Sequence, residues 1–129
     1  MEKIASDYTV TTTKSLDEAT DAVVAKSKEN GFGVLAIHDV QAILAKKGFT
    51  RDPYKIIEIC HPRYAHRALN ADLKVGLMLP CKVNVYLKGG ETHISAIRPR
   101  VLSFFTSADL GTLPDEVEDL IKKIVDEAK

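Results

Sequence analysis

Tryptophan is absent, aromatic residues make up only 6% of the 129 positions, and cysteine occurs just twice, as Cys60 and Cys81. Two thiols without a CxxC spacing exclude a dense disulfide scaffold, and in a chain with no export signal they read as reduced. No apolar stretch approaches the roughly 20 residues that span a bilayer; the longest, residues 33–37 and 75–81, fall far short. Neither sign of charge dominates, since 18 basic residues face 18 acidic ones for a net charge of +0. That balance supplies no long-range field for gathering nucleic acid or anionic membrane. The opening Met1-Glu2-Lys3-Ile4 has no apolar core of a secretory signal, and neither end carries a lipidation motif. These absences predict a cytoplasmic protein with neither a nucleic-acid nor a membrane partner.

What is present is an ordinary globular balance, 45% hydrophobic and 28% charged, which excludes disorder and fibrous repeats. Residues 1–129 match the length of one domain around one core. Residues 8–13, with Ile4, are rich in Thr, Val and Tyr and predict a first strand. Ser15-Leu16-Asp17-Glu18 reads as a capping box, followed by a helix with Leu16, Ala19, Thr20, Val23 and Ser27 on its inner face. Asn30-Gly31 stops that helix. The continuously apolar residues 33–37 predict a well-buried strand. Asp39 then caps a helix that turns Val40, Ile43 and Leu44 inward and stops at Gly48.

Asp52-Pro53 signals a turn into a β-branched strand over residues 54–60. Pro62 opens a helix to about Asp72, packing Ala65, Ala68 and Leu69. Residues 82–88 alternate, with Val83, Val85 and Leu87 on the apolar side and Cys81 sharing it by parity. Gly89-Gly90 predicts a hairpin into residues 92–97, which Pro99 interrupts and residues 101–105 are expected to continue. Thr112-Leu113-Pro114-Asp115 starts a last helix with Val117, Leu120, Ile121, Ile124 and Ala128 facing inward.

Three groups of residues have the chemistry to act. Cys60 ends a strand and His61 opens a helix, where backbone N–H groups lower a thiol pKa. If the neighbouring strands pair, Cys60, His61, Cys81 and His93 would converge as soft metal ligands. The simpler reading makes both cysteines small buried hydrophobes. Arg63, His66 and Arg67 share one helix face and, with Arg98 and Arg100, would form a small anion site. Their simpler reading is a solvated face paired with nearby acids. Glu58 and His38 would exchange a proton if they met in a cleft, while Asp39 is explained as a cap. No nucleophile elbow, phosphate-binding glycine loop or spaced metal motif is present, so the sequence assigns no catalytic residue, cofactor or metal.

Gly31-Phe32-Gly33-Val34-Leu35, Pro53-Tyr54-Lys55-Ile56, Cys60-His61-Pro62, Ala68-Leu69-Asn70-Ala71-Asp72 and Gly76-Leu77-Met78-Leu79-Pro80-Cys81-Lys82-Val83 stand in an order that resembles the domain of unknown function 302 family. The resemblance runs from about Tyr8 to the last helix. It implies an α+β, TATA-binding-protein-like fold, a curved and mainly antiparallel sheet carrying helices, with short additional helices here. It also implies a homodimer, and Asn rather than His at position 61. The resulting expectation is a small binding or interaction module of unknown ligand, with a cleft between sheet and helices. The alternative is a thiol- or metal-dependent redox protein or enzyme using Cys60, His61 and Cys81.

Overall fold

A computed structural model describes residues 5–129, so Ile4 lies outside the described residues. Strand β1 (Asp7–Thr12) leads into α1 (Leu16–Glu29), whose capping box forms as the sequence requires. The Glu18 N–H donates to Ser15 Oγ at 3.1 Å, and the Ser15 N–H donates to Glu18 Oε1 at 3.3 Å. Ala19, Thr20, Val23 and Ser27 are the buried face of α1. Gly31, at φ 84°, takes the left-handed conformation that ends the helix.

Strand β2 (Gly33–Asp39) and the short helix α2 (Val40–Ala45) follow. The Asp39 carboxylate accepts from the Ala42 N–H at 3.0 Å. Then come β3 (Tyr54–Cys60), α3 (Pro62–Ala71) and a 3-10 helix (Leu73–Met78). Strand β4 (Cys81–Lys88) turns through Gly89 and Gly90, both with positive φ, into β5 (Glu91–Ile97). A second 3-10 helix (Pro99–Phe104) precedes α4 (Leu113–Ala128).

The five strands form one open antiparallel sheet in the order β1-β5-β4-β3-β2. One face carries Ile57, Ile59, Val83, Val85, Ile94 and Ala96, and α1 and α4 pack over it. This α+β architecture is the one expected from the alternation of β- and helix-period segments.

Four local expectations need correction. Residues 33–37 are not a well-buried strand: β2 is a sheet edge, and Leu35 is 61% exposed. A continuous apolar run looks the same whether it lies in the middle of a sheet or at an uncovered rim. Helix α2 has no fully buried residue: Val40 and Leu44 are half-buried, and Ile43, expected to face inward, is exposed. Residues 101–105 do not continue β5. Pro99, with φ preset and no N–H, instead starts a helical turn. On α4, Leu120 is only partly buried, whereas Glu118 and Val125 point inward with Val117, Ile121, Ile124 and Ala128. The buried stripe is rotated because Glu118 finds partners inside, donated by Arg98 at 3.2 Å and the Arg100 N–H at 3.3 Å.

Candidate functional site

Where β3 ends and β4 begins, the chain builds a narrow apolar cleft. Strand register sets Ile59 opposite Cys81, which places Cys60 and Cys81 on adjoining strand ends. Both thiols line the cleft, with His61, Tyr64 and Ala68 from the α3 side and Leu113 and Val117 from α4. His61 occupies the N-cap position of α3 without any side-chain capping bond. Its ring instead packs inward, edge-on to Phe32 with centroids 5.2 Å apart and tilted against Tyr64 at 4.5 Å. Gly31 makes room for it, since a Cβ there would stand 2.9 Å from His61 Nε2.

His61 Nδ1 is buried and has no hydrogen-bond partner among the described residues. Burial, and then the positive charge of Arg63, lower the imidazole pKa below its usual value, so the neutral ring is favoured. Burial also pushes the Cys81 thiol up to about 11, with the neighbouring Cys60 adding to the shift. Cys81 is therefore a protonated, apolar-facing thiol at neutral pH, as parity with Val83 and Val85 suggested. The cavity volume is about 40 Å³. At about 10–15 Å³ per water, it admits about three water-sized groups and no whole metabolite.

The remaining candidates are dispersed. His93 is not with the cysteines: it pairs with Tyr86 in register, further along β4, and its ring stacks on Tyr86 at 5.3 Å. Among the described residues no three His, Cys, Asp or Glu side chains gather to hold a metal ion. Arg67 pairs with Glu116 at 3.3 Å, Arg98 with Glu118 at 3.2 Å and Arg100 with Asp115 at 3.2 Å. Three arginines thus answer three different acids of α4, while Arg63 and His66 form no ion pair among the described residues. His38 Nε2 and Glu58 Oε1 do meet, at 2.8 Å, on the sheet face away from α1 and α4. There they sit on the surface beside the sheet edge and outside the cleft.

Sequence reasoning missed a ladder of rings on that same open face. Tyr54 and Tyr86 stack with centroids 5.0 Å apart, Tyr86 stacks on His93, and Arg51 lies over Tyr54 at 5.3 Å. Asn84 donates to the Tyr54 hydroxyl at 3.0 Å. The period-two pattern put Asn84 and Tyr86 on the polar side of β4, but their partners follow only from register.

Together these features define a small α+β fold with one helix-covered sheet face, one open face and an apolar cleft at the sheet's end. The chain belongs to the family described as Domain of unknown function DUF302, whose model matches residues 8–128. It is similar to the crystal structure of an uncharacterized conserved DUF302 protein from Bacillus stearothermophilus, with 32% sequence identity and a TM-score of 0.90. That match covers 95% of this chain and 98% of the other. No curated protein matches the chain. No helix among the described residues is long and apolar enough to cross a membrane.

Proposed function

We propose that residues 1–129 act as one cytoplasmic domain, a homodimeric binding module whose ligand inserts a small polar-tipped group into the cleft beneath α3. The observation that carries this reading is an otherwise apolar cavity with His61 in its lining, the Nδ1 of that ring being buried and without a partner among the described residues. A buried polar atom left unmet costs about 1–3 kcal/mol, and a ligand group that pairs with it recovers that cost. The volume limits the inserted part to about three heavy atoms; the rest of the ligand lies outside. Self-association is supported by β2, an apolar edge strand with Leu35 and Ile37 exposed, and by the exposed Ile43 and Phe49 that follow it in the chain.

A thermal-shift series with small amides, alcohols and thioethers tests the cleft, run on the wild type and on His61→Phe. The expected result is stabilisation of the wild type alone, because binding to the native state raises Tm. Equal stabilisation of both proteins, or of neither, would remove the cleft from consideration.

A second reading, thiol chemistry, is favoured by the presence of both sulfurs on one cleft. Cys60 then reacts faster than Cys81 with iodoacetamide under native conditions, because the thiolate is the nucleophile and Cys81 holds its proton to about 11. Mass spectrometry reads both sites at once, and labelling of neither before unfolding would end that reading.

A further inference from the structure

A second concavity opens where β4 begins and β5 ends. Leu77 and Met78 of the first 3-10 helix, Ile97 of β5, and Val101 and Leu102 of the second 3-10 helix form its apolar walls. Pro80, Cys81, Pro99 and Leu102 are common to this groove and to the cleft, and so separate the two. The groove has a volume of about 160 Å³. Engineered apolar cavities of about 150 Å³ accept benzene, so an apolar body of about six carbons fits.

Two cations line the same groove, Lys82 and Arg98. Arg98 is fixed at both terminal nitrogens, which donate to the Ala5 carbonyl at 3.3 Å and to Glu118 at 3.2 Å. Its third donor, the Nε–H, is buried and has no acceptor among the described residues. Among the described residues Lys82 donates only to the Pro80 carbonyl, at 3.4 Å. The acids nearby are already engaged. Glu58, the cross-strand partner of Lys82, gives its carboxylate to His38, and Asp7, opposite Ile97, accepts from Thr9. Glu118 answers Lys122 as well as Arg98. Among the described residues, the apolar trough therefore carries an ammonium without a carboxylate and a guanidinium N–H without an acceptor.

We infer that this groove binds a free carboxylate on a short hydrocarbon body, its carbons against Leu77, Ile97 and Val101 and its carboxylate between Lys82 and Arg98. The body fills the apolar volume, and the anion supplies the carboxylate that Lys82 lacks among the described residues. A neutral alcohol leaves the Lys82 ammonium unanswered, and an amine meets like charge. The site goes beyond the cleft reading and does not depend on it.

The test titrates sodium octanoate, below its micellar range, into methyl-labelled protein, with octanol and octylamine in parallel. NMR is expected to show saturable shifts of the Leu77, Val101 and Leu102 methyls with octanoate, weaker ones with octanol and none with octylamine. Lys82 is exposed, so Lys82→Met tests the charge without disturbing the core; it should weaken octanoate about fivefold and leave octanol unchanged. Equal affinity for octanoate and octanol, equal loss of both in the variant, or no saturable shift would overturn the proposal. Two other outcomes also overturn it. Shifts of these methyls on dilution of the protein alone would assign the groove to a second copy. Sedimentation with phosphatidylglycerol vesicles in the absence of saturable octanoate binding would assign it to a membrane surface.

Discussion

The sheet has two edges, and they are finished in opposite ways. β1 shows solvent Asp7, Thr9 and Thr11, while its inward Tyr8 and Val10 pack against the core and the Tyr8 hydroxyl donates to Asp126 of α4 at 2.7 Å. β2 shows solvent Leu35 and Ile37, and the helix that follows it has no fully buried residue. Natural edge strands carry charge, proline or cover to prevent pairing. Residues 33–37 have no charge and no proline. The difference separates two jobs within one sheet. The body of α1, α4 and the strands beneath them holds the fold together, and the β2–α2 flank contributes little to stability and leaves an apolar surface open.

The sharpest way to break this division is one substitution made on both sides of it. Ile121 of α4 is fully buried, so Ile121→Ala should cost about 2–5 kcal/mol through lost transfer energy and a cavity. Ile43 of α2 is exposed, so Ile43→Ala should cost less than about 0.5 kcal/mol. Urea unfolding of both variants decides it, and equal costs would mean that α2 is as integral as α4.

Next in size is a pair of glycines with nearly the same backbone. Gly31, at φ 84°, joins α1 to β2 and faces His61, whereas Gly48, at φ 86°, has nothing within 4 Å of an added Cβ. Gly48→Ala meets only the left-handed strain, about 1 kcal/mol. Gly31→Ala meets that strain and a displaced imidazole, for about 2–3 kcal/mol. Calorimetry of the two variants measures the difference; no difference would mean that the His61 ring yields freely and that its packing on Gly31 is incidental.

Much of this arrangement was legible in the sequence, and the reasons it failed elsewhere are specific. Local signals read well: Ser15 with Glu18, Asp39 as a cap, Pro62 at a helix start, and the Gly89-Gly90 turn each depend on neighbours within a few positions. Parity correctly set Cys81 among apolar neighbours. The position of β2 at the rim was not legible, because a run of apolar residues records hydrophobicity and not the number of strands beside it. Periodicity places Leu120 in the core because it cannot show that Glu118 has an arginine waiting inside. The same limit hid the candidate site: Cys60, His61 and Cys81 were named from residue chemistry, yet the orphaned His61 Nδ1 and the Arg98 Nε depend on contacts across distant elements.

Glu118 gives a third, smaller test on the body side. Burial alone would raise its carboxyl pKa, but the Arg98 hydrogen bond, the Arg100 amide and the charges of Arg98 and Lys122 outweigh burial and hold it below the usual value. A lowered folded pKa stabilises above the unfolded value and is lost as pH falls through the folded one. Glu118→Gln should therefore cost about 1–2 kcal/mol at pH 7 and make the acid limb of the stability profile shallower. An unchanged acid limb would show that folding leaves the Glu118 pKa where it is in the unfolded chain.

The smallest expected change in stability belongs to the flank, and it comes with the clearest change in assembly. Leu35 sits at a bulge, without a direct partner on β3, and is exposed. If β2 pairs with β2 of a second copy, the two-fold axis brings matching stretches of the strand together, so Leu35→Lys places like charges near each other and adds the edge protection this strand lacks. The variant should lose less than about 0.5 kcal/mol of stability measured under monomeric conditions. Light scattering at micromolar concentration should report half the wild-type mass. Thr11→Lys makes the same charge change on the other edge and should leave the mass as it was. A wild type that is monomeric would end the dimer proposal outright, and a dimer broken by Thr11→Lys but not by Leu35→Lys would move the interface to β1. In that case the apolar flank needs a different partner, because the exposed side chains of β2 and α2 would still have no cover.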